Sequence, residues 1–172
     1  GGHSSVTVGQ VFRVRDDDTF APRTGLDDHR SDYVMALTVA PSRFLDLNHR
    51  LRLDRNKFSL RRNEIYISIG PEFLKLNTTY LALEREQTVD ELDAREELYN
   101  NLRWKIDQRW IATAENRRDL SGDESQILSR AGIQYQDECI GFGLTIQRKF
   151  TRDRDVEPST SVNIRFLLQN LG

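Results

Sequence analysis

From Phe44 to Arg55 the chain alternates with a period of two. Leu45, Leu47, Leu51 and Leu53 fall on one side, and Asp46, Asn48, Arg50, Arg52 and Asp54 on the other, with His49 alone interrupting the apolar side. Successive side chains of a strand point to opposite faces, so this run describes a ribbon with one oily and one charged face. A soluble sandwich keeps its charged face in water and its oily face in a core. A transmembrane barrel reverses the assignment, with oil against lipid and charge around a wet lumen.

About ten such runs follow one another. The alternation predicts strands over His3–Arg15, Ser31–Ala40, Phe44–Arg55, Lys57–Gly70, Phe73–Arg85, Glu97–Asp107, Arg109–Arg118, Ser125–Tyr135, Cys139–Phe150 and Ser159–Leu171. The even-numbered connections are short: Pro41–Arg43, Pro71-Glu72, Gln108 and Gln136–Glu138. The odd ones are mostly longer: Asp16–Arg30, Glu86–Glu96, Asp119–Glu124 and Thr151–Pro158, with a tight turn at Asn56 as the exception. Up-and-down membrane barrels show this asymmetry, with short periplasmic turns and longer outer loops. The predicted class is therefore all-β, an antiparallel up-and-down transmembrane barrel segment of about ten strands. Phe44, Phe73 and Trp110 follow short turns, where a strand meets the membrane interface. Thr88-Val89-Asp90-Glu91 fits a helix capping box, so a short helix in that loop before the sixth strand is expected.

At 172 residues the chain is long enough for one domain with a core. Only 37% of residues are hydrophobic and 30% are charged, and no apolar run approaches the length of a membrane helix. That excludes a helical membrane protein but not a barrel, in which half of every strand is polar. A net charge of -2 gives no sign of a nucleic-acid partner. Gly1-Gly2-His3-Ser4 holds neither an initiator Met nor a signal segment, so a mature or truncated piece is expected.

No catalytic constellation stands out, and neither an enzyme, a cofactor nor a metal centre is expected. His3, His29 and His49 are scattered outside any zinc or serine-hydrolase spacing. His49 reads as a satisfied core or interface histidine. Asp16-Asp17-Asp18 and Asp27-Asp28 read better as solvated loop than as a cation site. Gly141 and Gly143 lie within a strand, where they let it bend or let a neighbour approach. The lone Cys139 is either a buried thiol or the bonding partner of a segment outside this chain. The polar faces carry more: Arg50, Arg52, Lys75, Arg103, Lys105, Arg130, Lys149 and Arg165 all lie opposite most apolar residues of their strands. If that face lines a lumen, its guanidinium groups suit the phosphates and carboxylates of an anionic substrate.

Roughly the last forty residues are the most specific. Tyr135-Gln136-Asp137-Glu138-Cys139 precedes Gly141-Phe142 and Arg148-Lys149-Phe150, and the chain closes with RDRDVEPSTSVNIRFLLQNLG from Arg152 to Gly172. This resembles the C-terminal end of the LptD family of lipopolysaccharide-assembly proteins, also called OstA or Imp. GLDDHRSDYV (Gly25 to Val34) and RRNE (Arg61 to Glu64) resemble that family's barrel too. The resemblance implies that residues 1–172 form the C-terminal portion of a larger outer-membrane barrel of about 26 strands, as one fragmentary domain. It implies transport of lipopolysaccharide to the outer leaflet, with an LptE-like lipoprotein plug in the lumen, lipids of the outer membrane around it, and a periplasmic Lpt bridge reached through an N-terminal domain absent here. Cys139 matches the family cysteine that bonds the barrel to that domain; where the best-known members have a second cysteine next, this chain has Ile140. The other architecture consistent with the alternation is a soluble, lipocalin-like ten-stranded barrel with its apolar face inward around a small lipid.

Overall fold

A computed structural model describes residues 1–12, 29–84, 94–121, 125–150 and 157–168. Ten strands account for most of them: β1 (His3–Gly9), β2 (Tyr33–Ser42), β3 (Leu45–Leu53), β4 (Leu60–Ile69), β5 (Leu74–Leu83), β6 (Arg95–Lys105), β7 (Trp110–Asp119), β8 (Ser125–Gln136), β9 (Ile140–Lys149) and β10 (Ser159–Leu168). They form one antiparallel up-and-down sheet whose order follows the chain from β1 to β10. Every predicted run holds a strand. The chain divides into two compact units, one of Gly1–Ile67 with Thr79–Glu97, the other of Ser68–Thr78 with Leu98–Gly172.

In the first unit the ladders of β1 with β2 and of β2 with β3 put Val6, Leu37 and His49 in one row and Val8, Met35 and Leu51 in the next. In the second, four strands run in register from β7 to β10, so that Ala112, Ile133, Leu144 and Ile164 align, followed by Ala114, Ala131, Ile146 and Val162. Directly opposed residues share a face. Within each unit the alternation along the strands therefore becomes one mainly apolar face and one mainly polar face.

These apolar faces do not enclose a core. Among the described residues no hydrophobic side chain is buried, whereas Ser31, Asp32, Asp54, Ser68 and Glu97 all are. Val6, Val8, Val162, Ile164 and Phe166 are each more than half exposed, at 64%, 67%, 58%, 60% and 70%. An apolar face this extensive and this open demands an apolar cover.

The connections alternate without exception. Residues 43–44, 70–73, 106–109 and 137–139 join strands at one end, and 10–32, 54–59, 84–94, 120–124 and 150–158 at the other. The tight turn expected at Asn56 is instead a six-position loop over 54–59. Asp54 Oδ1 accepts the amides of Asn56 and Lys57, both at 2.8 Å, and the carbonyl of Asp54 accepts that of Phe58, which sits at φ 55°. At the short-turn end Gly70 takes φ +112°, and a Cβ there would lie 2.1 Å from the Leu74 carbonyl oxygen, so only glycine fits. The capping-box segment Thr88–Glu91 and the aspartate runs at 16–18 and 27–28 fall outside the described residues. Leu98 and Leu102, in the run expected as the sixth strand, lie in β6, and Ile106 lies just beyond it.

Candidate functional site

In the second unit the polar face is built row by row. Glu115, Arg130, Gln147 and Ser161 align across β7 to β10, flanked by the row Thr113, Gly132, Thr145, Asn163 and the row Arg117, Leu128, Lys149, Ser159. Arg165 stands opposite Gly143, in the row of Ile111 and Gln134. Arg130 is held on three sides: Nη1 donates to Glu115 at 2.8 Å, while Nε and Nη2 donate to Gln147 Oε1 at 3.0 and 2.6 Å. Asn101 reaches Glu115 at 3.4 Å, which brings the odd-numbered side of β6, with Arg103 and Lys105, onto this face. Thr78 and Asn100 bond at 2.9 Å on the opposite side, which leaves Lys75 on the polar one. Six of the eight predicted cations thus share one face of this unit.

Arg50 and Arg52 occupy the matching face of the first unit. Arg50 aligns with Ala36 and Thr7, and Arg52 with Val34 and Gly9. Arg52 Nε lies 3.5 Å from the buried carboxylate of Asp32. Asn48 Nδ2 donates to Asp46 at 2.7 Å and its carbonyl accepts Thr38 Oγ1 at 2.9 Å. Arg62, on the same face, donates to Glu64 at 2.8 Å. Arg62 was not among the expected cations, because Arg61 and Arg62 stand side by side and blur the parity of β4. Asn63, whose Oδ1 accepts His49 Nε2 at 2.8 Å, is the signal that resolves it. His49 is on the leucine side, so Asn63 is too, and Arg62 faces the other way. The same bond makes His49 the satisfied histidine expected.

The apolar face of the second unit ends in an aromatic row at the short-turn end. Trp110, Tyr135, Phe142 and Phe166 align across four strands, with ring centroids 5.0 Å apart for Trp110 and Tyr135 and 5.2 Å for Phe142 and Phe166. Of these only Trp110 was expected. Phe44 and Phe73 lie in the connecting turns rather than in strands, both exposed.

The two turns at this end that follow β6 and β8 share one design. Asp107 Oδ1 accepts the amides of Arg109 and Trp110 at 2.7 and 2.8 Å; Asp137 Oδ1 accepts those of Cys139 and Ile140 at 2.9 and 2.8 Å. An aspartate that bonds the backbone two and three residues on closes a tight turn by itself. These amides hold both carboxyls below the usual carboxylate range, those of Arg109 and Trp110 for Asp107, and for Asp137 those of Ile140 and Cys139, with the Tyr135 hydroxyl adding to them. Cys139 belongs to this turn, not to the strand as expected, and it is exposed rather than buried. The turn's carboxylate recruits its amide, so the strand ladder starts only at Ile140.

The long-loop end of the first unit is held by charge instead. Asp54 takes a two-nitrogen contact from Arg61, at 2.5 and 3.2 Å, and Glu84 lies 3.4 Å from the same guanidinium. The Arg61 hydrogen bonds, followed by the amides of Lys57 and Asn56, drive the Asp54 carboxyl far below its ordinary range against the opposing effect of burial.

Among the described residues no cluster of histidine, cysteine and carboxylate side chains suits a metal ion. What the arrangement offers is two-faced strands, suited to separating an apolar phase from a polar one. Comparison with known proteins agrees in kind. A family model described as LptD, LPS transport system D, matches residues 1–110. That stretch is not the one where the resemblance read from the sequence is firmest; the match falls on the first strands rather than on the last forty residues. No curated protein matches the chain. With more than half of its length covered by that model, the chain belongs to the LptD family, an outer-membrane family of lipopolysaccharide transport and assembly rather than of enzymes.

Proposed function

We propose that this chain is the C-terminal portion of a lipopolysaccharide translocon barrel, with its apolar faces against membrane lipid and its basic faces around an aqueous lumen. The observation that carries the reading is the inverted burial: apart from Gly141, every buried described residue is polar, and no hydrophobic side chain is buried. Strand length agrees. Nine of the strands run from 9 to 12 residues, against the roughly 9–11 that a tilted transmembrane strand needs. The row of Trp110, Tyr135, Phe142 and Phe166 supplies the interfacial aromatics of such a barrel. By the alternation of connections, the short turns, and Cys139 with them, face the periplasm.

In this reading lipopolysaccharide moves past the basic faces to the outer leaflet without covalent chemistry. Arg50, Arg52, Lys75, Arg103, Lys105, Arg130, Lys149 and Arg165 are its lumenal anion contacts, with Arg130 contributing least because Glu115 and Gln147 already occupy it. Cys139, exposed on a short turn, is the disulfide partner of a periplasmic domain, which in turn receives substrate from the Lpt bridge. An LptE-like lipoprotein fills part of the lumen. The lipocalin-like alternative requires the leucine faces to close on a dry interior, and no leucine among the described residues is buried.

Single cysteines placed along β3 in the intact protein test the reading. Positions 47 and 51 should react with lipid-phase reagents, and positions 48, 50 and 52 with water-soluble ones. The reverse pattern would overturn it.

A further inference from the structure

We propose that the polar face of the first unit carries a binding site for the phosphorylated head of an anionic amphiphile, where Arg50 and Arg62 overhang a trough floored by Thr7 and Ala36. The proposal rests on the reading that this face meets water in the lumen, and it names where on that face the substrate is held.

The trough follows from register. Thr7, Ala36 and Arg50 form one cross-strand row, and Gly9, Val34 and Arg52 the next. Two short side chains beside a long one leave a step. A hollow of about 350 Å³ lies there, lined by Thr7, Val34, Ala36, Arg50, Arg62 and Glu64 among others. Its floor is unusual for a polar face, because Val34 is apolar and 49% exposed.

The charges are distributed unequally around it. Arg52 lies beside Asp32, and Arg62 shares Glu64, but Arg50 forms no ion pair with any described residue. The wall of Arg50, Arg62 and Glu64 therefore keeps one net positive charge. Guanidinium forks match phosphate oxygens, and Arg62 retains N–H groups beyond the one that meets Glu64. Two guanidinium groups outweigh the one carboxylate, and the net attraction grows with the charge of the head, so a phosphate monoester carrying nearly two charges is favoured over a carboxylate. The apolar floor adds affinity for a molecule with hydrocarbon attached, which distinguishes an amphiphile from a free anion. Arg130 in the second unit shows the contrast: Glu115 balances its charge, and Gln147 takes two more of its N–H groups.

The test uses the intact protein with a diazirine amino acid at position 7 or 36, incubated with a phosphorylated lipid A or its dephosphorylated counterpart. Photolysis should give an adduct at both positions with the phosphorylated lipid, and at least fivefold less with the dephosphorylated one. Arg50→Gln combined with Arg62→Gln should lower the adduct to a similar degree, while Arg50→Lys with Arg62→Lys retains most of it. Equal adducts with the two lipids would overturn the proposal without any variant having to fold. So would displacement of the lipid by inorganic phosphate at the lipid's own concentration, which would mark a free-anion site. The same probe at positions 113 and 134 separates this proposal from the reading beneath it. Adducts there but none at 7 or 36 overturn only the trough, whereas none at any of the four overturns the wet-lumen reading as well.

Discussion

The two units use one pattern to different ends. In the second, β7 to β10 present an apolar face without a polar break from the aromatic row through the row of Ala114, Ala131, Ile146 and Val162, and only then meet Asn116, Ser129, Arg148 and Thr160. The polar face behind it satisfies its central arginine internally. In the first, the apolar face is broken at mid-strand by the His49–Asn63 pair, and the polar face keeps a trough beside an arginine with no ion pair among the described residues. Both units keep a hollow on the polar face, beside Arg165 in the second and beside Arg50 in the first; what sets the first apart is the polar break in its apolar face. The ends differ as well: an exposed and a half-buried aspartate close the turns after β6 and β8, while the loop over 54–59 is closed by a buried one.

The largest effect should come from charging the wall. Leu144→Lys sets a cation on the apolar face of β9 and should cost about 2–4 kcal/mol, the range for lysine near the bilayer midplane, whereas the neighbouring Thr145→Lys should cost well under about 1 kcal/mol. Reversible unfolding in lipid vesicles reads both, and equal costs would erase the distinction between faces. Next is the long-loop clasp. Asp54→Ala should destabilise by about 2 kcal/mol, below the usual cost of breaking a buried pair, because Arg61 keeps Glu84 at 3.4 Å. The same unfolding measurement checks it.

Smaller again is the break in the first unit's apolar face. His49→Leu alone should cost about 1 kcal/mol by leaving the Asn63 amide without its partner, and adding Asn63→Leu should recover that loss. A double variant no better than the single one would mean that the break serves a contact of its own. The mildest effect concerns pH. The folded carboxyls of Asp107 and Asp137 titrate below the unfolded value of about 3.9, so their contribution is complete above that pH and is lost as pH falls through the lower, folded value. Asp137→Asn keeps an oxygen for the amides of Cys139 and Ile140 but does not titrate. Protection of the Ile140 amide relative to its intrinsic exchange rate should therefore fall on acidification in the parent protein and not in the variant.

Strand placement was legible because a period of two needs no tertiary information. Leu45 to Leu53 carries its facing in its own order, and β3 lies within the run read for it. Turn chemistry was less so. Asn56 looks like a tight turn on residue preference, but the loop is organised by Asp54 two residues earlier, whose carboxylate selects the amides it closes on. Cys139 was assigned to a strand for the same reason: Asp137 withdraws its amide from the ladder. The basic faces could be read strand by strand, yet which cations act together could not. Arg130 and Glu115 are 15 positions apart, and only the register makes them neighbours. The aromatic row was hidden in the same way, since Trp110, Tyr135, Phe142 and Phe166 have no common spacing until four strands are aligned. His49 was legible as the break in its own leucine face, but its partner Asn63 was not, because Arg61 and Arg62 blur the parity of β4.

The central claim is that lipid lies against the leucine side of these strands and water against the arginine side. Nitroxide side chains at each position from 140 to 149 of the intact protein in bilayers test it most directly, by comparing accessibility to oxygen with accessibility to a water-soluble nickel chelate. The account predicts that positions 142, 144 and 146 favour oxygen and positions 143, 145 and 147 favour the chelate. Alternation with the opposite phase, or both sets reporting the chelate, would contradict it.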